Sequence, residues 1–229
     1  MPSPENWFWT LHMALALFDL DNTLLADDSD YLWGCFLSDR GLVDKELYEQ
    51  ANLRFYQEYK QGTLDIHEFL NFALTPLAEN DFKQLQTLHT EFLESLIRPV
   101  MTQIGQDKIN MHREQGDTIV IITATNSFVT GPIAEAFGAD QLIASEPEIV
   151  NGQYTGKVSG TPCFQEGKIT KLNEWLEQTG KNLEGSYFYS DSHNDLPLLE
   201  QVTHPVAVDP DDQLRAIAQE RNWKIESFR

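Results

Sequence analysis

Residues 14–25 read Ala14-Leu15-Ala16-Leu17-Phe18-Asp19-Leu20-Asp21-Asn22-Thr23-Leu24-Leu25. The apolar run has the character of a buried strand over residues 14–20. It delivers Asp19 and Asp21 to the carboxyl edge of a sheet, where open α/β sheets bind their ligands. Strand alternation sends the two carboxylates to one side and Leu20 to the other. Two carboxylates held that close repel, so a cation joins them or one carries a proton. A divalent metal is the simplest answer. Asp-x-Asp is common by chance; the strand before it and Thr23-Leu24-Leu25 after it make it informative.

Outward from this strand the pattern changes twice. Residues 30–100 lose strand character and show apolar positions at helical spacing, as in Leu47, Ala51, Phe55 and Tyr59. Breaks at Gly41, Gly62-Thr63, Pro76 and Pro99 divide the stretch into four or five helices. From residue 105 helices and strands alternate. Ile104–Glu114 reads as a helix and Thr118–Ile122 as a buried parallel strand. Phe128–Phe137 is a helix closed by Gly138. Leu142–Ala144 is a short strand, and Asn151-Gly152 turns a hairpin. Gly167–Gln178 is a helix, Ser186–Ser190 a strand, Asp195–Gln201 a helix and Val206–Val208 a strand. Asp211–Arg221 is a helix, and Trp223–Glu226 forms a last strand. This order predicts an α/β fold, a doubly wound parallel sheet with an all-helical cap inserted after the first strand. The core takes residues 13–27 and 101–229, and the cap residues 28–100. Met13 opens the first strand, and the twelve residues before it read as an extension or a misplaced start.

The 229 residues suffice for one sizeable core with an insert, and no apolar run reaches the length of a membrane span. The amino-terminal stretch carries Glu5 but no lysine or arginine, so it lacks the basic start of a secretory signal. Cys35 and Cys163 stand alone without ligand-like spacing, which predicts inert thiols in a reducing, cytoplasmic setting. Thirty-six acidic residues against sixteen basic ones give a net charge of −20. Such a surface repels nucleic acid and anionic membranes, and an anionic substrate needs local positive charge.

Four segments fall at strand ends or at a helix start: Asp19-Leu20-Asp21-Asn22-Thr23; Thr123 in Thr123-Ala124-Thr125-Asn126-Ser127; Lys168 in Glu166-Gly167-Lys168; and Ser190-Asp191-Ser192-His193-Asn194-Asp195. Converging at one edge, they supply carboxylates, a hydroxyl, an ammonium and loop amides. That set suits phosphoryl transfer: carboxylates for Mg²⁺, a cation and amides for phosphate oxygens, and one aspartate to attack phosphorus. Singly each is weak. Thr123 alone reads as a helix cap, Asp195 likewise, Lys168 as a surface lysine and His193 as a solvent-facing loop side chain.

Taken together, in order and spacing, the segments resemble the four motifs of the haloacid dehalogenase superfamily. The helical insert is similar to that of its phosphoserine-phosphatase-like branch. The resemblance implies a Rossmann-like core, a Mg²⁺ cofactor and a small phosphate ester as substrate. By resemblance Asp19 is the nucleophile that forms a phosphoaspartyl intermediate. Asp21 is the acid and base, Thr123 binds the phosphoryl group, and Lys168 balances charge. Asp19, the Asp21 carbonyl and Asp191 hold the metal. Asp195 holds the metal's waters, and Asn194 faces the phosphate. Asp28 matches the cap-side acid that binds an amine, and Arg54 is the best counterpart for a carboxylate clamp.

Between residues 30 and 100 twelve acids stand against six bases. An acidic lid without a firm carboxylate clamp favours a phosphorylated amino alcohol. Histidinol phosphate therefore leads, with phosphoserine second. A phosphotransferase of the same family and a non-enzymatic phospho-acceptor module are the rivals. The chain is expected to work as a monomer or homodimer.

Overall fold

A computed structural model describes residues 14–229. The expectations for Met13 and the preceding residues lie outside that range. Seven strands form one sheet in the order β4-β3-β2-β1-β5-β6-β7. They are β1 (Leu15–Phe18), β2 (Thr118–Asn126), β3 (Gln141–Val150), β4 (Gln153–Ser159), β5 (Tyr187–Ser190), β6 (His204–Val208) and β7 (Lys224–Glu226). All neighbours run parallel except β3 and β4. β1 lies between β2 and β5, with Phe18 beside Ile121 on one side and Tyr189 on the other. The carboxyl ends of these three strands are therefore adjacent, at the point where the strand order changes direction.

Period-two alternation builds a core on each face. Leu15 and Leu17 pack with Val120, Ile122 and Phe188, while Ala16 and Phe18 pack with Ile119, Ile121 and Tyr189. The second cluster continues into the helical block through Leu24, Trp33 and Phe92. The helices α1 (Ser29–Asp39), α2 (Lys45–Gln61), α3 (Ile66–Glu79) and α4 (Phe82–Phe92) all lie between β1 and β2. Each opens on an aspartate whose side chain accepts backbone N–H groups: Asp28, Asp44, Asp65 and Asp81. Such caps stabilise a helix by about 1 kcal/mol each, so part of the acid surplus is structural. The two connections to this block run side by side. Leu25 bridges Met101, Ala26 N donates to Val100 O at 2.7 Å, and Thr102 N donates to Leu24 O at 3.0 Å.

The remaining helices are α5 (Gln103–Glu114), α6 (Ser127–Phe137), α7 (Glu166–Thr179), α8 (Leu196–Leu199) and α9 (Asp212–Glu220). Several expected boundaries move. Pro76 lies inside α3 rather than breaking it, and the helix ends at Asn80, whose side-chain amide donates to Pro76 O at 2.8 Å. β3 spans ten residues because it runs on into the hairpin arm, where Asn151 and Gly152 both take positive φ. β2 continues past Thr123, its register with β3 shifting between Ile122 and Asn126. The helix expected from Asp195 shrinks to a 3₁₀ turn at His193–Asp195 followed by four-residue α8. Among the described residues no helix is long and apolar enough to cross a membrane.

Candidate active site

The strand stops at Phe18, sooner than alternation over residues 14–20 predicts. Asp19 N still donates to Tyr189 O at 2.9 Å, but Leu20–Leu24 then close a wide turn, Leu25 N donating to Leu20 O at 3.0 Å. Asn22 takes φ 58°, a left-handed conformation that asparagine tolerates. The consequence is that Asp19 and Asp21 engage different neighbours. Asp19 Oδ1 accepts from Lys168 Nζ at 2.7 Å. Asp21 turns to the end of β2 and the start of α1. Its Oδ2 accepts from Thr125 Oγ1 at 2.9 Å and Thr123 Oγ1 at 3.3 Å, and its Oδ1 from Ser29 N at 2.7 Å.

Lys168 sits in the first turn of α7, only 3 % exposed. Its Nζ spans Asp19 and Asp195, reaching Asp195 Oδ2 at 2.8 Å. Asp195 also accepts from Ser190 Oγ at 2.7 Å. Its side chain caps no helix; it anchors the ammonium. Nor does Thr123 cap α6, since Asn126 Oδ1 accepts from Val129 N. Asp191 is tied to the β1 turn through Thr23, whose hydroxyl lies 3.2 Å from Asp191 Oδ1 and 3.4 Å from Asp19 Oδ2.

Charge here is lopsided. Burial pushes Asp19 up to about 7, with Lys168 opposing and Asp195 adding to the rise. Burial, then Asp28, raises Asp21 to about 6. Asp191 is held well above the usual carboxylate range by burial and by Asp19 and Asp195. Burial disfavours the Lys168 ammonium, but Asp19 and Asp195 outweigh it and the lysine stays charged. One ammonium thus serves a cluster of aspartates. The donor set fits a hard divalent cation. The single Thr23 proton lies within reach of both Asp19 Oδ2 and Asp191 Oδ1 while Thr23 Oγ1 itself accepts from Asp191 N at 3.1 Å. One carboxylate oxygen is thereby left short of a donor. Among the described residues no three acidic, histidine or cysteine side chains form a cage. Mg²⁺ needs none, since it binds through one or two carboxylates and keeps waters or phosphate oxygens.

The other expected positions divide. Asp28 caps α1, its Oδ1 accepting from Tyr31 N at 2.9 Å, and it stands close enough to raise Asp21. Arg54 does not join the cluster: on exposed α2 surface its Nη2 donates to Glu68 Oε1 at 2.7 Å and its guanidinium lies over Phe55. Asn194 is 3 % exposed and its amide is already engaged, accepting from Gln165 Nε2 at 2.9 Å and donating to Tyr59 O at 3.2 Å. His193 is no solvent-facing side chain; its N–H and its Nδ1 both lie 2.8 Å from Asp211 Oδ2. Cys163 is buried, its thiol pushed up to about 12 chiefly by burial, and Cys35 is half-buried.

Reading the sequence gave no individual role to Thr23, Thr125, Ser190, Ser192, Tyr59 or Gln165. Thr125 and Ser190 carried a signal, being hydroxyls one or two places from motif residues. Tyr59 fits the apolar stripe of α2, yet its hydroxyl donates to Ser192 Oγ at 2.8 Å and Asp191, Asp195 and Asp19 lie near enough to hold the phenol neutral along with burial.

A family model described as haloacid dehalogenase-like hydrolase matches residues 16–200. A histidinol-phosphatase of Neisseria meningitidis serogroup C (strain 8013) is 43% identical over 219 residues, covering 94% of this chain and 99% of that protein. Phosphoserine phosphatase SerB1 of Mycobacterium tuberculosis (strain ATCC 25618 / H37Rv) is 31% identical over 221 residues, 94% of this chain and 71% of that protein. A solved structure, a protein with unknown function from Bordetella pertussis Tohama I, superposes with TM-score 0.89 at 45% identity, covering 94% of this chain and 99% of that one.

Proposed function

The chain belongs to the haloacid dehalogenase-like hydrolases, and from that membership we propose that it is a Mg²⁺-dependent phosphomonoesterase. It works through a phosphoaspartyl intermediate on a small phosphorylated amino alcohol, first of all L-histidinol phosphate. The observation that carries this reading is the state of Asp19. Lys168 pins its Oδ1 at 2.7 Å, while Oδ2 has only a 3.4 Å contact with a hydroxyl shared with Asp191. An anchored carboxylate with one loosely held oxygen suits nucleophilic attack.

Asp19 Oδ2 attacks phosphorus as the ester P–O bond breaks, and Asp21 gives its proton to the departing alcohol. A raised carboxyl, up to about 6, is poised for that exchange. Asp21 then takes a proton from water, which attacks phosphorus and releases Asp19 and inorganic phosphate. Thr125, Thr123 and Ser29 N hold Asp21 in place. Asp19, Asp191 and the Asp21 carbonyl would hold Mg²⁺, which supplies positive charge to the phosphate oxygens. Lys168 balances Asp19 and the incoming anion. Residues 28–100 serve as a lid over the core formed by 14–27 and 101–229, and its closure excludes water from the acyl phosphate.

Two observations favour histidinol phosphate. The 43% identical relative is a histidinol-phosphatase, and Asp28 stands near Asp21 while Arg54, the expected carboxylate clamp, pairs with Glu68 instead. Phosphoserine is the second reading, favoured by the 31% identical phosphoserine phosphatase. The enzyme is read as cytoplasmic, a monomer or homodimer, acting on free small esters. Steady-state assays with Mg²⁺ on L-histidinol phosphate and L-phosphoserine test the order. A higher kcat/KM for histidinol phosphate is expected; the reverse order moves the assignment to phosphoserine.

A further inference from the structure

Gln165 stands immediately before the Glu166-Gly167-Lys168 segment and holds a backbone conformation, φ 48° and ψ −120°, that favours glycine. It occupies the second position of a turn closed by Gly167 N donating to Phe164 O at 2.8 Å. A side chain there is strained, and such strain is kept only where the surroundings enforce it. The neighbouring Gly167 has its own steric reason, as a Cβ would lie 2.0 Å from Pro162 O. No such crowding demands a glutamine at 165, so the reason must lie in what its side chain does.

That side chain donates from Nε2 to Asn194 Oδ1 at 2.9 Å. An asparagine amide has one acceptor end and one donor end. By taking the acceptor end, Gln165 fixes the opposite end, Nδ2, toward Tyr59 O at 3.2 Å and Ser192 Oγ at 3.3 Å. Ser192 Oγ also accepts from Tyr59 O–H at 2.8 Å and Asn194 N at 3.2 Å. One chain of bonds therefore runs from the Lys168 turn, through the Asp191–Asp195 loop, to the last turn of α2. It joins three segments that come from different parts of the chain, and Asn194 is its hub.

We propose that Gln165 is a positioning residue: by holding Asn194 Oδ1 it keeps Asn194 Nδ2 on Tyr59 O and Ser192 Oγ, and so ties the lid's α2 to the loop carrying Asp191 and Asp195. An Asn194 free to flip would set its carbonyl oxygen against Tyr59 O, where two acceptors repel, and the link to α2 would be lost. The inference rests on the phosphatase reading above.

Gln165→Gly and Gln165→Ala separate the side chain's task from the backbone strain. Both remove the amide, but only glycine also relieves the φ. Kinetics with Mg²⁺ on L-histidinol phosphate and p-nitrophenyl phosphate should show kcat/KM lowered about tenfold in both variants. Thermal unfolding should place Gln165→Gly about 2–5 °C above Gln165→Ala. Asn194→Ala should lose more activity, and adding Gln165→Ala to it should change nothing further. A Gln165→Gly enzyme with wild-type kcat/KM, or a double variant in which the losses multiply, overturns the proposal. Failure of the wild-type enzyme to hydrolyse either ester would instead sink the phosphatase reading and leave the melting comparison standing.

Discussion

Two buried polar networks share this sheet, and they are built to opposite rules. At the carboxyl ends of β1, β2 and β5, Lys168 is, among the described residues, the only cation bonded to Asp19 and Asp195, with Asp21 and Asp191 close by. Away from that edge, His112 is wholly buried between Asp117 and Tyr189, with Nδ1 2.7 Å from Asp117 Oδ2 and Nε2 2.8 Å from Tyr189 Oη. Asp117 also accepts from Ala14 N. There the side-chain polar atoms of His112, Asp117 and Tyr189 all have partners, and the bonds hold α5 to the sheet. The aspartate cluster is left unbalanced, and an unbalanced cluster is one that can accept a cation and a reacting anion. Stability and chemistry thus draw on the same sheet with different degrees of satisfaction.

Breaking the unbalanced network has the largest expected effect. Asp19→Asn should lower kcat by about 10⁴-fold or more, measured on any ester the wild type turns over. The melting temperature should hold or rise, because a penalised buried charge is gone. Lys168→Ala should lower both activity and stability. It strips the partner from Asp19 and Asp195 and should cost about 3 kcal/mol in denaturant unfolding.

The balanced network should behave differently. His112→Phe leaves Asp117 and Tyr189 without their partner, so unfolding free energy should fall by about 1–3 kcal/mol. Its kcat/KM should stay within about twofold of wild type, since removal of a distant structural group adds little to the reaction barrier.

The pH dependences sharpen the contrast. The folded chain binds protons on Asp19 and Asp21 that an unfolded chain releases near pH 4. In a chelator, stability contributed by those protons is present at low pH and is lost as pH rises through about 6 to about 7. Added Mg²⁺ should therefore raise the melting temperature more at pH 7.5 than at pH 5. His112 has the reverse sign. Burial outweighs the Asp117 carboxylate and holds the imidazole below its ordinary range, so its contribution is lost as pH falls through that range. Melting curves of His112→Phe should show a flatter acid limb than wild type. The smallest effect belongs to Arg54→Ala: its exposed pair with Glu68 should leave kcat/KM within about twofold, and a large rise in KM would return Arg54 to the substrate.

What could be read from the sequence was what depends on neighbours along the chain. The buried run into Asp19, the β-branched run at Thr118–Ile122 and the glycine stops at Gly138 and Gly180 need no knowledge of what they touch. The fold class and the convergence of Asp19, Thr123, Lys168 and Asp191 follow from them. Thr23 was legible as part of the first motif, but its bond to Asp191 was not, because that partner is 168 positions away. Tyr59, 133 positions from Ser192, was indistinguishable from the apolar face of α2. Arg54 misled for the opposite reason: its charge suggested a ligand, while the helix phase put it beside Glu68 instead. Pro76 reads as a stop by local rules, but α3 packs against β4 around it, as the closeness of Gly156 to Ala78 attests.

The paired connections at Leu24–Ala26 and Val100–Thr102 give the helical block a single doorway. Two crossings laced by their own backbone would move together wherever the block moves. Lengthening one crossing alone would skew the whole leaf, dragging Tyr59 off Ser192 at its far end. Matched insertions in both would lift the leaf evenly. Engineers who wish to change which ester enters should therefore edit the doorway in pairs.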